Sequence, residues 1–432
     1  MRFYSTEERA LSVSFADAVM RGVPEGGGLF MPAALPAVPR ALLAAMGNLT
    51  FREIALELSR LLLEGEIPPG DVEEIVGGAI TFDAPVRRLD GDTAVLELFH
   101  GPTLAFKDFG ARFMAQTLSR IRRGGDDYTV LVATSGDTGS AVASGFHGLA
   151  GISVVLLYPS GRVSPLQERQ LTALGGNVTA LEVGGTFDDC QRLVRQAFRD
   201  REIASRKRLT SANSINVARL LPQAFYYFNA VARLGAPGRG VVFSVPSGNL
   251  GNLTAGLIAL KMGLPGARFV AAANANDVFP RYLSTGRYEP GEARRTLSNA
   301  MDVGDPGNLP RIRALFGDDI RALRAAVSSS SWSDGETLRA IGDAYRRHAY
   351  VFDPHGAVAY AALEAYRAEH GGDFTGVVLA TAHPAKFLEV YDASLRQAIE
   401  VPPRLREVME TEKHSVKIPA DFAALKQYLM ES

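Results

Sequence analysis

The feature of this sequence that most constrains its fold is an alternation of short apolar runs with amphipathic helical patterns, which begins near Thr93. Helical patterns follow the runs AVLELF, YTVLVAT, ISVVLLY and VTALEV, and the same order returns in VVFSV, FVAAANA and VVLATA after a break near 235–240. Strands that alternate with helices are typical of parallel sheets covered on both faces. We therefore predict two open α/β domains rather than one.

The length of the chain agrees with this division. Its 432 residues exceed the roughly 250–300 at which a single hydrophobic core stops growing. Before Thr93 the sequence mixes helical patterns, such as Phe51 to Glu64, with Gly/Pro breaks, and Ser328 to Ser331 is interpreted as a polar loop. The predicted units are a mixed N-terminal domain (1–95), a large α/β domain (96–125 and 225–432) and a small α/β domain (126–224).

Composition narrows the class of partner. Lys and Arg (46) balance Asp and Glu (47) to a formal charge of -1, so no electrostatic footprint for nucleic acid or an anionic membrane is present. The apolar runs are of strand length and no secretion signal is visible, which predicts a soluble, cytoplasmic protein. We expect a small-molecule partner.

Cysteine and histidine usage indicates neither a disulfide framework nor a metal site. Cys190 is the single cysteine and lies in a helical pattern, where we expect a buried thiol without chemistry. The seven histidines form no HExxH motif, so we expect no transition metal. His355 and His383 each remain open between an acid/base role and packing in a tight turn.

Three polar or glycine-rich turns follow predicted strands and precede helices. They are TSGDTGS (134–140), PSGNLGN (246–252) and TAHPAK (381–386). Ligands of open α/β sheets bind outside the carboxyl ends of the strands, and a glycine turn at a helix start offers free backbone N–H groups to a phosphate. We therefore predict that ligands bind at these turns, outside the carboxyl ends of the strands.

The second turn is the best candidate for a phosphate cradle. Gly248 and Gly251 allow close approach of the backbone to an anion, and Ser247, Asn249 and Asn252 add side-chain donors. The turn carries neither GxxxxGK[ST] nor GxGxxG, which favours a monophosphate over a nucleoside triphosphate or a dinucleotide. Taken alone, it fits a tight structural turn equally well.

Lys107 is the candidate nucleophile. It starts an amphipathic helix and is flanked by Phe106 and Phe109. The positive end of the helix dipole and poor solvation beside aromatic rings both favour the neutral amine that forms a Schiff base. The alternative is a solvated surface lysine, the commoner fate of that residue type.

Four motifs together resemble those of one enzyme family. HGPTLAFKDF, TSGDTGSA, SGNLGN and TAHPAKF occur in this order along nearly the whole chain. They are similar to the motifs of the threonine synthase family of fold-type II pyridoxal-phosphate enzymes, and the opening SFADAV...GVPEGGGLFMP resembles its longer bacterial and fungal members. The resemblance implies a cofactor cleft between the two α/β domains.

The resemblance also implies roles for individual residues. Lys107 would be the Schiff-base lysine and proton shuttle, and Thr381 would face the pyridine nitrogen. Asp137 stands where other relatives, with TSGNTG, place an asparagine near the ring hydroxyl, and a carboxylate there must be protonated, displaced or paired. The cofactor phosphate would lie against Ser247, Gly248, Asn249, Leu250, Gly251 and Asn252.

The implied reaction converts O-phospho-L-homoserine and water into L-threonine and phosphate. The substrate's carboxylate and phosphate need donors of their own, for which the candidates are Ser135, Thr138, Ser214, Asn216, Arg219 and Lys386. A dehydratase or phospho-lyase that uses the same cofactor is the first alternative, and a non-catalytic regulator that retains the fold is the second. By analogy we expect a monomer or a homodimer.

Overall fold

The computed structural model describes residues 1–122, 126–235 and 239–431. The strands in this part of the chain are β1 (Phe3–Ser5), β2 (Phe30–Pro32), β3 (Val86–Arg88), β4 (Thr93–Glu97), β5 (Tyr128–Ala133), β6 (Ile152–Pro159), β7 (Val178–Gly184), β8 (Arg208–Thr210), β9 (Gly240–Pro246), β10 (Ala267–Ala273), β11 (Val327–Ser331), β12 (Phe374–Ala380) and β13 (Val416–Pro419).

The helices lie between these strands. They are α1 (Phe15–Arg21), α2 (Arg40–Ala45), α3 (Phe51–Leu63), α4 (Pro69–Ala79), α5 (Lys107–Ile121), α6 (Asp137–Phe146), α7 (Pro165–Thr172), α8 (Phe187–Arg199), α9 (Arg201–Arg206), α10 (Val217–Leu220), α11 (Phe225–Leu234), α12 (Gly251–Lys261), α13 (Val278–Thr285), α14 (Leu309–Leu315), α15 (Ile320–Ala326), α16 (Asp334–His348), α17 (Pro354–His370), α18 (Ala393–Gln397), α19 (Pro403–Glu410) and α20 (Phe422–Glu431). Within the described ranges, no helix is long and apolar enough to cross a membrane.

Two sheets with helices on their faces form the body of the molecule. The larger has the order β11-β10-β9-β12-β4-β3, and the smaller has the order β13-β7-β6-β5-β8. Neighbouring strands are parallel, except that β3 runs antiparallel to β4. A short antiparallel pair, β1 and β2, precedes them with α1 to α4. The predicted α/β class and the mixed N-terminal region are confirmed.

The inner strands of each sheet are buried on both faces, which explains their continuous apolar runs. In β5, Val130 and Val132 face one hydrophobic cluster, whereas Leu131 and Ala133 face another cluster that also contains the buried Cys190. A strand places successive side chains on opposite faces, so a strand between two helical layers must be apolar throughout.

Local signals fix the start of several helices. The hydroxyl of Thr50 accepts from the amide of Glu53, and the Glu53 carboxylate accepts from the amide of Thr50, so the two residues form a capping box for α3. This helix confirms the pattern seen from Phe51 onward.

Two sequence-based expectations were wrong. Ser328 to Ser331, interpreted as a loop, lie in β11, which pairs with β10 at the edge of the larger sheet. The range 225–432 was expected to lie wholly in the large domain, yet β13 pairs with β7 in the smaller sheet and α20 packs in the same cluster as Cys190. The polar serines suit an edge strand, and the C-terminal tail covers a sheet edge far from it in sequence. Apart from that tail, the three-domain division stays a prediction.

Candidate active site

The three predicted turns and Lys107 lie at the carboxyl ends of parallel strands. The turn 134–136 leads from β5 into α6, 247–250 leads from β9 into α12, and 381–383 follows β12. Lys107 starts α5 after β4, and β12 lies between β9 and β4. The phosphate turn, the third turn and the lysine therefore follow three adjacent strands of one sheet.

Backbone hydrogen bonds clasp the loop before Lys107 to the third turn. The amide of Phe106 donates to the carbonyl of Thr381 over 2.9 Å, and the amide of His383 donates to the carbonyl of Leu104 over 3.0 Å. Leu104 has a left-handed φ of 58°, a conformation that L-residues keep only where the surroundings impose it. This clasp holds Lys107 and Thr381 together.

Lys107 has the environment of a reactive amine. The residue as a whole is half-buried, but its ammonium end is shielded and lies 5.5 Å from the centre of the Phe106 ring. Burial lowers the pKa of Lys107; the carboxylate of Asp137 opposes this effect, whereas the charges of Lys386 and Arg219 add to it. A lowered pKa enriches the neutral amine. A solvated surface lysine does not fit this environment.

Asp137 is paired, one of the three outcomes that the sequence left for it. Its carboxylate lies 2.6 Å from Nζ of Lys386 and accepts from Nε2 of Gln167 over 3.0 Å. Burial alone would raise the pKa of Asp137, but the ammonium groups of Lys386 and Lys107 outweigh it and hold that pKa well below its usual range. Lys386 Nζ also donates to the carbonyl of Thr103 over 2.9 Å. This pair links the first and third turns.

A second buried carboxylate follows Lys107 in the chain. Asp108 accepts from the amide of Thr103 over 2.9 Å and from its hydroxyl over 2.7 Å. Burial raises the pKa of Asp108 to about 6, although these hydrogen bonds oppose the shift. Asp108 thus holds the loop that precedes the lysine.

The second turn is shaped to receive an anion. A Cβ on Gly248 would lie 2.6 Å from the Cα of Met301, so the backbone there passes too close for a side chain. Leu250 has a left-handed φ of 59°. Within the described ranges, the backbone N–H groups of residues 248–253 donate to no backbone carbonyl. Such a set of open donors at a helix start suits a phosphate.

Asn252 adds an unpaired donor to this turn. Its Oδ1 accepts from the hydroxyls of Tyr226 and Tyr227 over 2.5 and 2.7 Å, while its Nδ2 is buried and has no hydrogen-bond partner among the residues that the structure describes. A buried donor without an acceptor is costly, so an anion belongs beside it. The Tyr226 ring lies 5.6 Å from that of Phe109 in α5, which connects the turn to the Lys107 helix. These residues fit the phosphate of pyridoxal phosphate.

Two predicted side-chain donors of the turn serve its structure instead. The hydroxyl of Ser247 donates to the carbonyl of Val245 over 2.8 Å, which uses its single proton. Asn249 donates from Nδ2 to Oγ of Ser214 over 2.7 Å and accepts at Oδ1 from the amide of Gly307 over 2.5 Å. Both side chains hold the loop, so its backbone remains the source of donors. Ser214, a candidate for the substrate, lies beside the cofactor turn.

The first turn presents two candidate substrate donors. Ser135 and Thr138 are half-buried on either side of Gly136, whose φ is 144°. The hydroxyl of Thr134 accepts from the amides of Gly136 and Gly139 over 3.1 and 2.8 Å, which fixes the turn. Ser135 and Thr138 therefore lie on a rigid support.

The remaining substrate candidates differ. Asn216 caps α10, and its amide donates to the carbonyls of Val19 and Ser211 over 3.0 Å each, so it has no donor to offer a ligand. Arg219 is buried and donates to the carbonyl of Ala212 over 2.5 Å, and its Nε has no hydrogen-bond partner within the described part of the chain. Arg219 stays a candidate, whereas Asn216 is structural.

His355 and His383 each have fixed hydrogen-bond partners in this structure. His355 contacts the Asp353 carboxylate through Nδ1 over 2.6 Å, and its Nε2 accepts from the amide of Ala300 over 3.2 Å. His383 accepts from the amide of Ala385 through Nδ1, and burial lowers its pKa to about 4. Each ring is held by a fixed partner, which favours the packing interpretation for both.

Several residues of the site escaped the sequence interpretation. Four such residues contact either the turns or residues that hydrogen-bond near them: Gln167, Asn308, Arg311 and Asp353. None belongs to a glycine-rich motif, since each reaches the site from another element. The one available signal was Arg311, a charge between the apolar Leu309 and Ile312 on the buried face of α14.

The chain matches three known protein families along its length. Residues 85–382 match the family described as Pyridoxal-phosphate dependent enzyme, residues 2–80 match Threonine synthase N terminus, and residues 356–429 match Threonine synthase, C-terminal. The first match covers the lysine, the first two turns and the start of the third turn.

Relatives resemble the chain from end to end. Threonine synthase of Escherichia coli (strain K12) is 46% identical over 431 residues, covering 100% of this chain and 99% of that protein. The crystal structure of threonine synthase from Escherichia coli superposes with a TM-score of 0.92 at 44% identity and full coverage of both chains. That of PLP-bound threonine synthase from Brucella melitensis gives 0.92 at 34% identity, covering 100% of this chain and 99% of the other. Since motifs, fold and full-length similarity agree, this chain belongs to the threonine synthase family of pyridoxal-phosphate enzymes.

Proposed function

We propose that the chain converts O-phospho-L-homoserine and water into L-threonine and phosphate, with pyridoxal phosphate attached to Lys107. The observation that carries this proposal is the convergence of a shielded lysine with a phosphate turn that has an unpaired donor, Asn252 Nδ2. Cytoplasmic location and a monomeric or homodimeric state accompany the proposal as expectations.

Four groups would hold the cofactor. Lys107 would bind its aldehyde carbon, the open amides of 248–252 and Asn252 Nδ2 would receive its phosphate, and the Thr381 hydroxyl would be the partner of its ring nitrogen, as the family resemblance implies. The Asp137–Lys386 pair, at 2.6 Å, would be the fourth group, since both of its charges act on the pKa of Lys107. When bound, the cofactor supplies an electron sink for negative charge that develops on the substrate carbons.

Lys107 performs the proton transfers. Its neutral Nζ can accept one proton at a time: it would remove the substrate's Cα proton, pass that proton to a second acceptor of the bound complex, and then carry a Cβ proton to Cγ as phosphate leaves, and Cα would regain a proton at the end. Burial lowers the pKa of this amine, and a general base works best with a pKa near the operating pH. Water then adds at Cβ.

The substrate's own anions need separate donors. Ser135 and Thr138 on the first turn suit the carboxylate, because their hydroxyls flank a fixed glycine turn. Arg219 and Lys386 suit the leaving phosphate: both are buried cations that influence the pKa of Lys107. Lys386 contacts Asp137 and Thr103, so one of its three N–H groups is left for a ligand.

The test is a paired assay of phosphate and L-threonine from O-phospho-L-homoserine. We expect equal yields from the wild type and a loss of both in Lys107→Ala. The matched control is Lys261→Ala, which removes an exposed lysine that lies 4.4 Å from the Phe316 ring, at the far end of α12, and should keep full activity.

The two alternatives predict other results. A phospho-lyase would release phosphate and keto acid without L-threonine. A regulator would bind the cofactor and release nothing. Near-normal turnover by Lys107→Ala would contradict the role given to this lysine.

A further inference from the structure

Arg311 is a fully buried guanidinium held only by neutral oxygen atoms. Its Nε and Nη2 donate to the carbonyl of Phe30 over 3.1 and 3.0 Å, and Nη2 also donates to that of Ile215 over 2.6 Å. Its Nη1 donates to the carbonyl of Ser214 over 3.2 Å and to Oδ1 of Asn308 over 2.9 Å. All five N–H groups are satisfied, yet none meets a carboxylate.

This charge has no counter-ion within the part of the chain that the structure describes. No carboxylate oxygen there lies within 4.0 Å of Arg311, and burial lowers the pKa of Arg311 to about 9, which leaves it protonated at neutral pH. Buried charges are normally paired. Lys386, by contrast, has Asp137.

A short chain of contacts leads from Arg311 to the phosphate turn. Asn308, which accepts from Arg311, donates to the carbonyl of Asn249 over 3.0 Å. Ser214, whose carbonyl also accepts from Arg311, receives Nδ2 of Asn249 on its hydroxyl over 2.7 Å. Two separate routes therefore join the guanidinium to Asn249, in the middle of the turn with open amides.

We propose that Arg311 is a positioning residue whose unpaired charge is balanced by the cofactor's phosphate in the turn 248–252. The proposal rests on the proposed function, because it needs pyridoxal phosphate at this turn. The intervening medium is protein, where charges are screened far less than in water. Arg311 thus serves the phosphate in two ways, by attraction and by fixing the turn through Asn308 and Ser214.

A purely structural role for Arg311 makes a different prediction. As a strap between Phe30, the 214–215 loop and α14, it would contribute to folding regardless of which ligand is bound. Loss of the strap would then weaken binding of every cofactor analogue alike. The phosphate-balancing role instead concerns only ligands that carry the phosphate.

The experiment compares pyridoxal phosphate with pyridoxal, its analogue without the phosphate. Affinities of both for cofactor-stripped, full-length protein are measured by absorbance titration in the wild type, Arg311→Gln and Arg311→Lys. We expect the preference for pyridoxal phosphate to fall about tenfold or more in Arg311→Gln, and to stay within about threefold of the wild type in Arg311→Lys, since a charge-assisted interaction exceeds a neutral one. Arg324→Gln is the control: this arginine is also held by backbone carbonyls, those of Leu283 and Ser284, and the variant should keep the preference.

The outcomes separate the two hypotheses. Equal preferences in the glutamine and lysine variants of Arg311 overturn this inference, whether both match the wild type or both fall. If Arg311→Gln does not fold, a tenfold fall in Arg311→Lys alone overturns it, and a retained preference supports it. A wild type that keeps the preference but makes no L-threonine would instead contradict the proposed function.

Discussion

Each buried charge around Lys107 is stabilised in its own way. Asp137 has Lys386 as an ionic partner, whereas Asp108 has only the amide and hydroxyl of Thr103 as direct partners. Hydrogen bonds alone stabilise a buried carboxylate less than an ion pair with hydrogen bonds does. The pKa of Asp137 is accordingly lowered, whereas the pKa of Asp108 is raised. Because Asp108 changes its protonation state at mildly acidic pH, it makes the stability of the protein depend on pH.

We expect the wild type to lose stability as the pH rises, and we expect Asp108→Asn to abolish this loss. Burial raises the pKa of Asp108 from 3.8 to about 6, so the folded chain holds this proton more tightly than the unfolded chain. The resulting stabilisation is complete below about pH 4 and is lost as the pH rises through about 6. A shift of this size corresponds to about 3 kcal/mol.

Urea denaturation of both proteins from about pH 4 to about pH 7 measures this difference. The free energy of unfolding of the wild type should fall relative to that of the variant. Parallel curves for the two proteins would contradict the assignment of Asp108 as the titrating group.

The sequence predicted the residues of the site whose role depends on local pattern. Lys107 lies in a motif and begins a helix, and Gly248 lies in a turn between a strand and a helix, so local pattern was enough to single out both as candidates. Gln167 and Arg311 act through side chains that reach across from other elements, and no spacing within their own segments reveals it. The assignment of Asn216 failed for the same reason, because its acceptor Val19 lies far away in the chain.

Among the elements, the turn between β9 and α12 contains two glycines that differ in how closely their neighbours pack against them. A Cβ on Gly248 would lie 2.6 Å from the backbone of Met301, but a Cβ on Gly251 would meet only ordinary contacts at 3.5 Å. Gly248 is therefore required by the protein itself. At Gly251, by contrast, the fold has enough space for a methyl group.

We expect Gly248→Ala to destabilise the protein by about 1–3 kcal/mol, since the added methyl group must displace backbone. Gly251→Ala should change the free energy of unfolding by less than about 0.5 kcal/mol. Urea denaturation measures both, and absorbance of bound cofactor reports whether the turn still holds phosphate. Equal stability of the two variants would show that the turn yields more easily than its packing indicates.

Strand β11 shows why some strands cannot be predicted from their composition. The long strands were predicted because they are buried on both faces and therefore apolar, as in Ile152–Pro159. Strand β11 is mostly half-buried, and Ser329 donates to the carbonyl of Ala271. An edge strand made of serines carries no hydrophobic pattern, so its pairing is fixed by β10 and not by its own sequence.

At the scale of the whole molecule, the C-terminal tail ties the chain back to the smaller sheet. Strand β13 pairs with β7, and Leu425 and Leu429 of α20 are fully buried in the cluster that contains Cys190. Domain assignment along the sequence assumes contiguous segments. A tail that returns to an earlier sheet cannot be recognised from its composition.

We expect Leu425→Ala to destabilise the smaller sheet selectively, by about 2–5 kcal/mol, because it leaves a cavity in that cluster. Hydrogen exchange should rise in β7 and α8 and stay unchanged in β9 and β12. The control is Val416→Ala in the same tail, where the exposed side chain should make little difference. An equal rise in both sheets would contradict selective destabilisation.

The position of β12 has a consequence for how the enzyme is made. Of the six strands in the larger sheet, β12 is the last in the chain, yet it lies between β4 and β9 and provides the turn that clasps the Lys107 loop. During translation, Lys107 leaves the ribosome long before Thr381 does. The facing edges of β4 and β9 have no strand between them until β12 has been made. The site predicted for the cofactor is therefore complete only after β12 and its turn have been made.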